Sequence, residues 1–408
     1  MERVKKLSLF IFSFLFVFNP TNFFSFNLLY LLTFIAILFF VSNYHSITCS
    51  FNLNKLLIPY IFFIYLFIYL FVYYLFGSFD SIYRAYSNFL LHVCTLLCAV
   101  VITYFYKKLY NGRGIESYVI YLGIAQLIIV FITFFNNDIR ELILSTSRSD
   151  DLMNISNSVD GVRSFGLANG YTSTFSMLLG FISFLCILEC RLNNSFKYFL
   201  LFLLFVFSVT INARIGLILP LLGLVFLLLS NILNVRNLFK LFIILLPLSF
   251  LMYTYIDDLL AIPAFKRMDM LLYEVGMLFK FQFVGTFSAL YEMHHAPQDL
   301  ESLIFGTGIS IGSGAHVSSD VGYIIDIYLF GLVNTILQFI FYVVMFSPVF
   351  KYLTERYDYK GVSLIMLLTI FCFYFKGATF SSNEFINVLM LILVSESLFK
   401  IKKLSRGG

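Results

Sequence analysis

Apolar residues along this chain neither mark one face of a helix nor alternate with polar ones; they persist through whole stretches, on every face. About twelve stretches reach or approach the roughly 20 helical residues that a hydrocarbon core ~30 Å thick requires. They lie near 7 to 22, 24 to 42, 56 to 76, 88 to 106, 117 to 135, 170 to 189, 197 to 212, 214 to 230, 238 to 256, 320 to 347, 361 to 378 and 384 to 399. In lipid each backbone N–H and C=O has to pair within its own segment, so such stretches are helices. The pattern predicts an all-α polytopic integral membrane protein with about 12 transmembrane helices, forming a single transmembrane domain over residues 1 to 408. Asn19, Pro20, Thr21 and Asn22 cut the first stretch short, leaving it a marginal span or one arm of a tight hairpin. No small-residue cleavage site follows it, so a removable signal peptide is not expected.

Composition narrows the class further. Of 408 residues 60% are apolar and 12% charged, and the 53 Phe outnumber the 27 Lys and Arg. A soluble domain carries roughly a quarter charged residues, so a soluble enzyme, a disordered chain and a nucleic-acid binder are excluded. A net charge of +5 is too small to imply a polyanionic partner, and its distribution says more. With the N-terminus inside, most Lys and Arg fall on the cytoplasmic side, among them Arg3, Lys5, Lys107, Lys108, Arg191, Lys240, Lys351 and Lys402, while most acids fall outside. Both termini are therefore expected in the cytoplasm. Of the six Cys, all but Cys49 sit in apolar runs, which leaves no disulfide framework for external loops.

Inner connections are short, whereas two outer loops are long, at 136 to 169 and at 257 to 319, the latter between spans nine and ten. Long loops are uncommon unless functional, so chemistry is expected on the outer face. Within the second loop Met268, Leu271, Leu272, Val275, Leu278 and Phe279 recur at helical spacing around Glu274 and Lys280, as in an amphipathic helix resting on the outer interface or capping a cavity.

Ionisable groups at membrane depth are costly and usually mark a site. Arg214 stands in Asn-Ala-Arg-Ile-Gly, where spans seven and eight meet with almost no polar loop, and Arg163 opens Arg-Ser-Phe-Gly-Leu-Ala-Asn just before span six. A guanidinium is a rigid fork of donors that never loses its charge, which suits it to a diphosphate. Arg267 lies beside Lys266 early in the second loop and on its own reads as a solvated charge; Arg140 and Arg148, among acids, read the same way. The second loop closes on Phe-Gly-Thr-Gly-Ile-Ser-Ile-Gly-Ser-Gly-Ala-His-Val-Ser-Ser-Asp-Val-Gly-Tyr. Gly306, Gly308, Gly312 and Gly314 are expected to bring backbone N–H groups towards an anion, with Ser318, Ser319 and Asp320 capping span ten. Asp320 shares a helix face with Tyr323, and either Asp320 or His316 is a candidate proton acceptor. Asp326, deeper in the span, reads as an ion pair with Lys376. Cys94 with Cys98 and Cys186 with Cys190 lack a third ligand, and the adjacent His294 and His295 point apart, so no metal site is expected. No phosphate-binding P-loop is present, and no cofactor is implied.

The order Arg-Ser-Phe-Gly-Leu-Ala-Asn, Asn-Ala-Arg-Ile-Gly at an outer turn, Arg267 early in a large outer loop, then Phe-Gly-Thr-Gly and Ser-Asp-Val-Gly-Tyr leading to Phe-Gly-Leu, resembles the O-antigen polymerases (Wzy) and their relatives the O-antigen ligases. Ligases carry His-Asn eleven residues before the glycine of this last motif. Eleven residues before Gly331 stands Asp320, a departure that favours a polymerase.

The resemblance implies a glycosyltransferase of the bacterial inner membrane, active at the periplasmic face without a metal. Its substrates would be undecaprenyl-diphosphate-linked oligosaccharides in the bilayer, with room for a chain-length regulator and a flippase as protein partners. Arg214 and Arg267 would grip the diphosphate, Arg163 would assist, Asp320 or His316 would act as base, and Asn169 and Tyr323 would touch substrate. An O-antigen ligase is the nearest alternative. A polysaccharide flippase or other transporter is another, though charge around a midplane cavity and short loops on both sides would suit it better.

Overall fold

The computed structural model describes residues 2 to 399 except 21–26, 53–56, 111–113, 146–163, 165, 169–172, 194, 232–253, 255–265, 283, 286–287, 289–290, 310, 312–318, 320, 360 and 377–382. Among the described residues regular structure is helical, apart from an isolated antiparallel bridge between Phe51 and Phe399. The helices gather into two compact units, one made of Met1–Leu122 with Met293–Gly408, the other of Gly123–Glu292.

In chain order the first unit holds α1 (Glu2–Phe18), α2 (Leu28–Ser42), α3 (Tyr44–Cys49), α4 (Leu57–Phe76), α5 (Phe79–Tyr110) and the start of α6 (Ile115–Phe135), within which the division falls. The second unit continues with α7 (Asn137–Ser145), α8 (Thr174–Asn193), α9 (Phe196–Asn212), a 3-10 turn (Arg214–Leu217), α10 (Ile218–Asn231) and α11 (Lys266–Leu278). The chain then returns to the first unit with α12 (Leu300–Phe305), α13 (Gly322–Phe330), α14 (Leu332–Arg356), α15 (Gly361–Lys376), α16 (Glu384–Ile392) and a π turn (Leu393–Leu398). Among the described residues five helices, α4, α5, α6, α8 and α14, are long and apolar enough to cross a membrane. The protein is therefore an all-α membrane protein.

The apolar runs are used in two ways. On α4 only 22% of the apolar window is buried. Ile61, Ile64, Phe67, Ile68 and Phe71 stay exposed, while Pro59, Phe62, Leu66 and Tyr69 pack inwards. Large apolar side chains left exposed in this density suit contact with lipid tails. On α8, by contrast, 83% of the window is buried, and every side chain from Phe175 to Glu189 is enclosed, since α9, α10 and the 3-10 turn pack around it.

Helix α5 runs through the first unit against α1, α2, α4 and α16. Its 32 residues rise about 48 Å at 1.5 Å each, well beyond the span expected at 88 to 106. Most of the additional residues are at the start and carry Asp80 and Arg84; Asp80 there and Lys107 and Lys108 at the other end complement the helix dipole. The single span expected over 320 to 347 is instead two helices, broken at Gly331, where φ is +81°. A side chain at Gly331 would run into the carbonyl of Ile304, and one at Gly306 would come within 2.7 Å of the Gly331 amide nitrogen. Close backbone approach of these two glycines is what interrupts the helix. The break exposes the last carbonyls of α13, and they find other donors: Tyr73 Oη donates to Phe330 O (2.9 Å), and the Thr307 and Gly308 amides donate to Tyr328 O (2.7 and 3.1 Å).

At the other end of this unit Glu116, fully buried in the first turn of α6, pairs with Arg356 and accepts a hydrogen bond from Tyr352 Oη at 2.7 Å. Removing one member of a buried pair strands the other. Glu116→Ala is expected to destabilise the protein by about 3 kcal/mol, the lower end for such pairs, because Arg356 keeps 28% exposure. Thermal unfolding in detergent measures this, and an unshifted midpoint would show the pair contributes nothing.

Candidate functional site

Arg214 is presented by a turn made of small residues. Helix α9 stops at Asn212, Ala213 is extended (φ −143°, ψ 128°), and its amide donates to Ser176 Oγ on α8 at 2.9 Å. Asn212 closes the end of α9 by donating through Nδ2 to Ser208 O (2.8 Å). The turn can lie directly on α8 only because two positions lack a Cβ. One at Gly216 would strike the Ser176 carbonyl, and one at Gly180 would strike the carbonyl of Gly216. Small residues at such crossings let helix backbones approach closely in membranes.

So mounted, Arg214 forms an ion pair through Nη1 with Glu274 Oε2 of α11, with the arginine 19% exposed and the glutamate 3%. Helix α11 turns Leu272, Tyr273 and Val275 outwards and Glu274 inwards. Arg267 is on the same helix, seven residues earlier; two helical turns put positions 267 and 274 on one face. The Arg267 side chain lies outside the described part of the structure.

Arg163, Asn169, His316 and Asp320 lie outside the described residues. The segment that follows Arg163 is anchored to α6. Ser164 Oγ donates to Val130 O at 2.7 Å and shares a 2.5 Å hydrogen bond with Thr133 Oγ1, and Gly166 (φ +56°) passes so near Gln126 that a Cβ would come within 2.6 Å of its amide nitrogen. Two residues of that motif thus have a packing role of their own.

Tyr323, in the first turn of α13, shares a 2.6 Å hydrogen bond with His294 Nδ1; the two rings stack at 5.6 Å, and Phe375 packs at 5.0 Å from the tyrosine. The expected helix cap takes a different form. Val321 is the cap position and makes no side-chain cap bond, while Ser319 Oγ accepts from the Val321 amide (3.1 Å) and donates to Met293 O (3.0 Å). The expected anion cradle is also not formed by Gly306 and Gly308. Their amides are taken by Ser302 O and Tyr328 O, so they close α12 and α13; Gly312 and Gly314 lie outside the described residues.

Several polar groups meet in ways the sequence reading missed. Asp326 is buried and accepts a 2.5 Å hydrogen bond from Tyr374 Oη, with the charge of Arg84 acting on it from the extended start of α5. Arg84 precedes the apolar run and so does not stand out in the sequence, and the Lys376 side chain is outside the described part. Arg140 is not the solvated charge expected: α7 buries it to 6% exposure, and burial lowers its pKa. Its spacing from Ile143, three residues on, was the available signal. Among the described residues no group of three or more His, Cys, Asp or Glu is placed to hold a metal ion.

Comparison with family models, with curated proteins and with solved structures returns no match for this chain. The chemistry of the site stands on its own residues: a mostly buried guanidinium on a rigid turn, steadied by a carboxylate, suited to an oxyanion such as a diphosphate.

Proposed function

We propose that this protein is an O-antigen (surface polysaccharide) polymerase that joins undecaprenyl-diphosphate-linked oligosaccharide repeat units at the periplasmic face of the bacterial inner membrane, without a metal. The observation that carries the reading is Arg214, a mostly buried cation held on a turn of small residues and paired with Glu274. Cations kept at such cost usually serve a site. In the proposed reaction a sugar hydroxyl of one lipid-linked unit attacks the anomeric carbon of another. Its proton passes to a base, for which Asp320 and His316 are the candidates. The bond from the anomeric carbon to the diphosphate oxygen breaks, and undecaprenyl diphosphate leaves with the electron pair. Negative charge grows on the leaving oxygen, and fixed donors aimed at developing charge are the strongest aid an enzyme offers such a step. Arg214 and Arg267 take that role with Arg163 assisting, while Asn169 and Tyr323 contact the sugars.

The testing experiment is a polysaccharide gel of a strain lacking this chain. Lipid A core bearing one repeat unit is expected. A core with no repeat would overturn the reading in favour of an O-antigen ligase or a flippase.

A further inference from the structure

We infer that Glu274 is a positioning residue whose charge sets how tightly Arg214 holds a diphosphate, so that the leaving group is released after transfer. This rests on the diphosphate reading of Arg214 given above.

Glu274 is the deeper member of the pair, at 3% exposure against 19% for Arg214. The segment after α11 closes over it: Gly285, with φ +57°, passes so near Glu274 Oε1 that a Cβ there would collide with the carboxylate. One oxygen faces Arg214 and the other is packed against backbone, so the carboxylate has little freedom to turn. The residues of α11 around it, Leu272, Tyr273 and Val275, are 48%, 61% and 38% exposed, which makes the inward turn of a carboxylate the costly choice for this part of the helix. That cost is offset by holding the guanidinium in one orientation.

A carboxylate in this place acts on a bound diphosphate in two opposed ways. It orients the donor fork before the anion arrives, which favours binding. It also places a negative charge within a few ångströms of a second one, which disfavours binding. The first effect needs only a hydrogen-bond acceptor of the right shape, whereas the second needs the charge. Glutamine in place of Glu274 keeps the acceptor and drops the charge, and alanine drops both. A site built to bind and then let go of a dianion requires both effects together, since tight binding of the product would slow every later turnover.

The experiment uses the full-length protein in detergent and measures binding of inorganic pyrophosphate by calorimetry, with thermal unfolding of each variant as a check. Glu274→Gln is expected to bind pyrophosphate about ten-fold tighter than wild type or more, and Glu274→Ala more weakly than wild type. In turnover with lipid-linked donor, Glu274→Gln is expected to lower KM and kcat together, a split that a purely structural ion pair would not produce. Binding by Glu274→Gln equal to or weaker than wild type, while Arg214→Ala loses binding, would overturn the role of Glu274 and leave the diphosphate reading standing. Pyrophosphate binding that survives Arg214→Ala, or its absence in wild type, would overturn both. Should Glu274→Gln fail to fold, Gly285→Ala displaces the carboxylate without changing any charge; several-fold weaker binding is expected, and unchanged binding would overturn the inference.

Discussion

Arg214→Lys is expected to abolish long polymer while lipid A core with a single repeat unit still accumulates. Lysine keeps the charge but replaces a planar fork of five donors by a point charge on a flexible stem. The turn that carries Arg214 is fixed by Ser176 and by the glycine contacts, so a shorter-reaching ammonium is not brought to the same place by movement of the backbone. Removing one donor that stabilises developing negative charge typically costs 10²- to 10³-fold in rate, enough to turn a ladder of chain lengths into one or two repeats. The same substitution weakens the contact to Glu274, whose buried carboxylate still needs a partner. Unfolding midpoint and membrane content should therefore be measured beside the gel. A wild-type ladder from Arg214→Lys would remove Arg214 from the reaction, whereas a lost ladder with wild-type stability would place it there.

Gly216→Leu is expected to have the largest effect on folding. A Cβ at this position meets the Ser176 carbonyl and comes within 2.9 Å of Val209 Cγ1. The first of these is backbone of α8, the most buried helix of its unit, and cannot swing aside as a side chain does. Overpacking of this kind costs about 1–3 kcal/mol where the core adjusts, and more where it does not. Here the adjustment would have to separate α8 from the turn and break the Ser176 to Ala213 hydrogen bond, so a loss of ~3 kcal/mol or more is expected. Folded protein in the membrane should fall sharply, and any remainder should lack Arg214-dependent anion binding. Gly276→Leu is the control, because nothing lies within 4 Å of a Cβ at that position. Equal yields and melting of the two variants would show that the close approach at Gly216 does not hold the turn.

The helical, membrane-embedded character was legible from the apolar runs alone; Arg214 stands out in the sequence as a cation at a junction with no polar loop. The rest is hidden in the sequence for physical reasons. The glycine-rich stretch signalled close backbone approach but not to what; at Gly306 the neighbour is Gly331, and at Gly308 it is Ser78. An apolar window makes α5 too short because it discards Asp80 and Arg84, although both are helical. Glu274 is visible in the sequence only as a polar residue within an amphipathic pattern, and the pattern points to an apolar side of which Leu272, Val275 and Phe279 are left exposed.

By itself the sequence determined that this chain folds as helices in lipid, because uninterrupted apolar runs have one way to satisfy their backbone there. It also determined that a guanidinium sits at the junction of two of those helices. Only the tertiary structure decided that Glu274 meets that guanidinium across 60 residues of chain, that Asp326 answers to Tyr374 and Arg84, and that the amides of Gly306 and Gly308 close two helix ends where an anion is expected from the sequence. A helix that is apolar on every side carries no record of its rotation about its own axis, and that rotation decides which charges packing brings together.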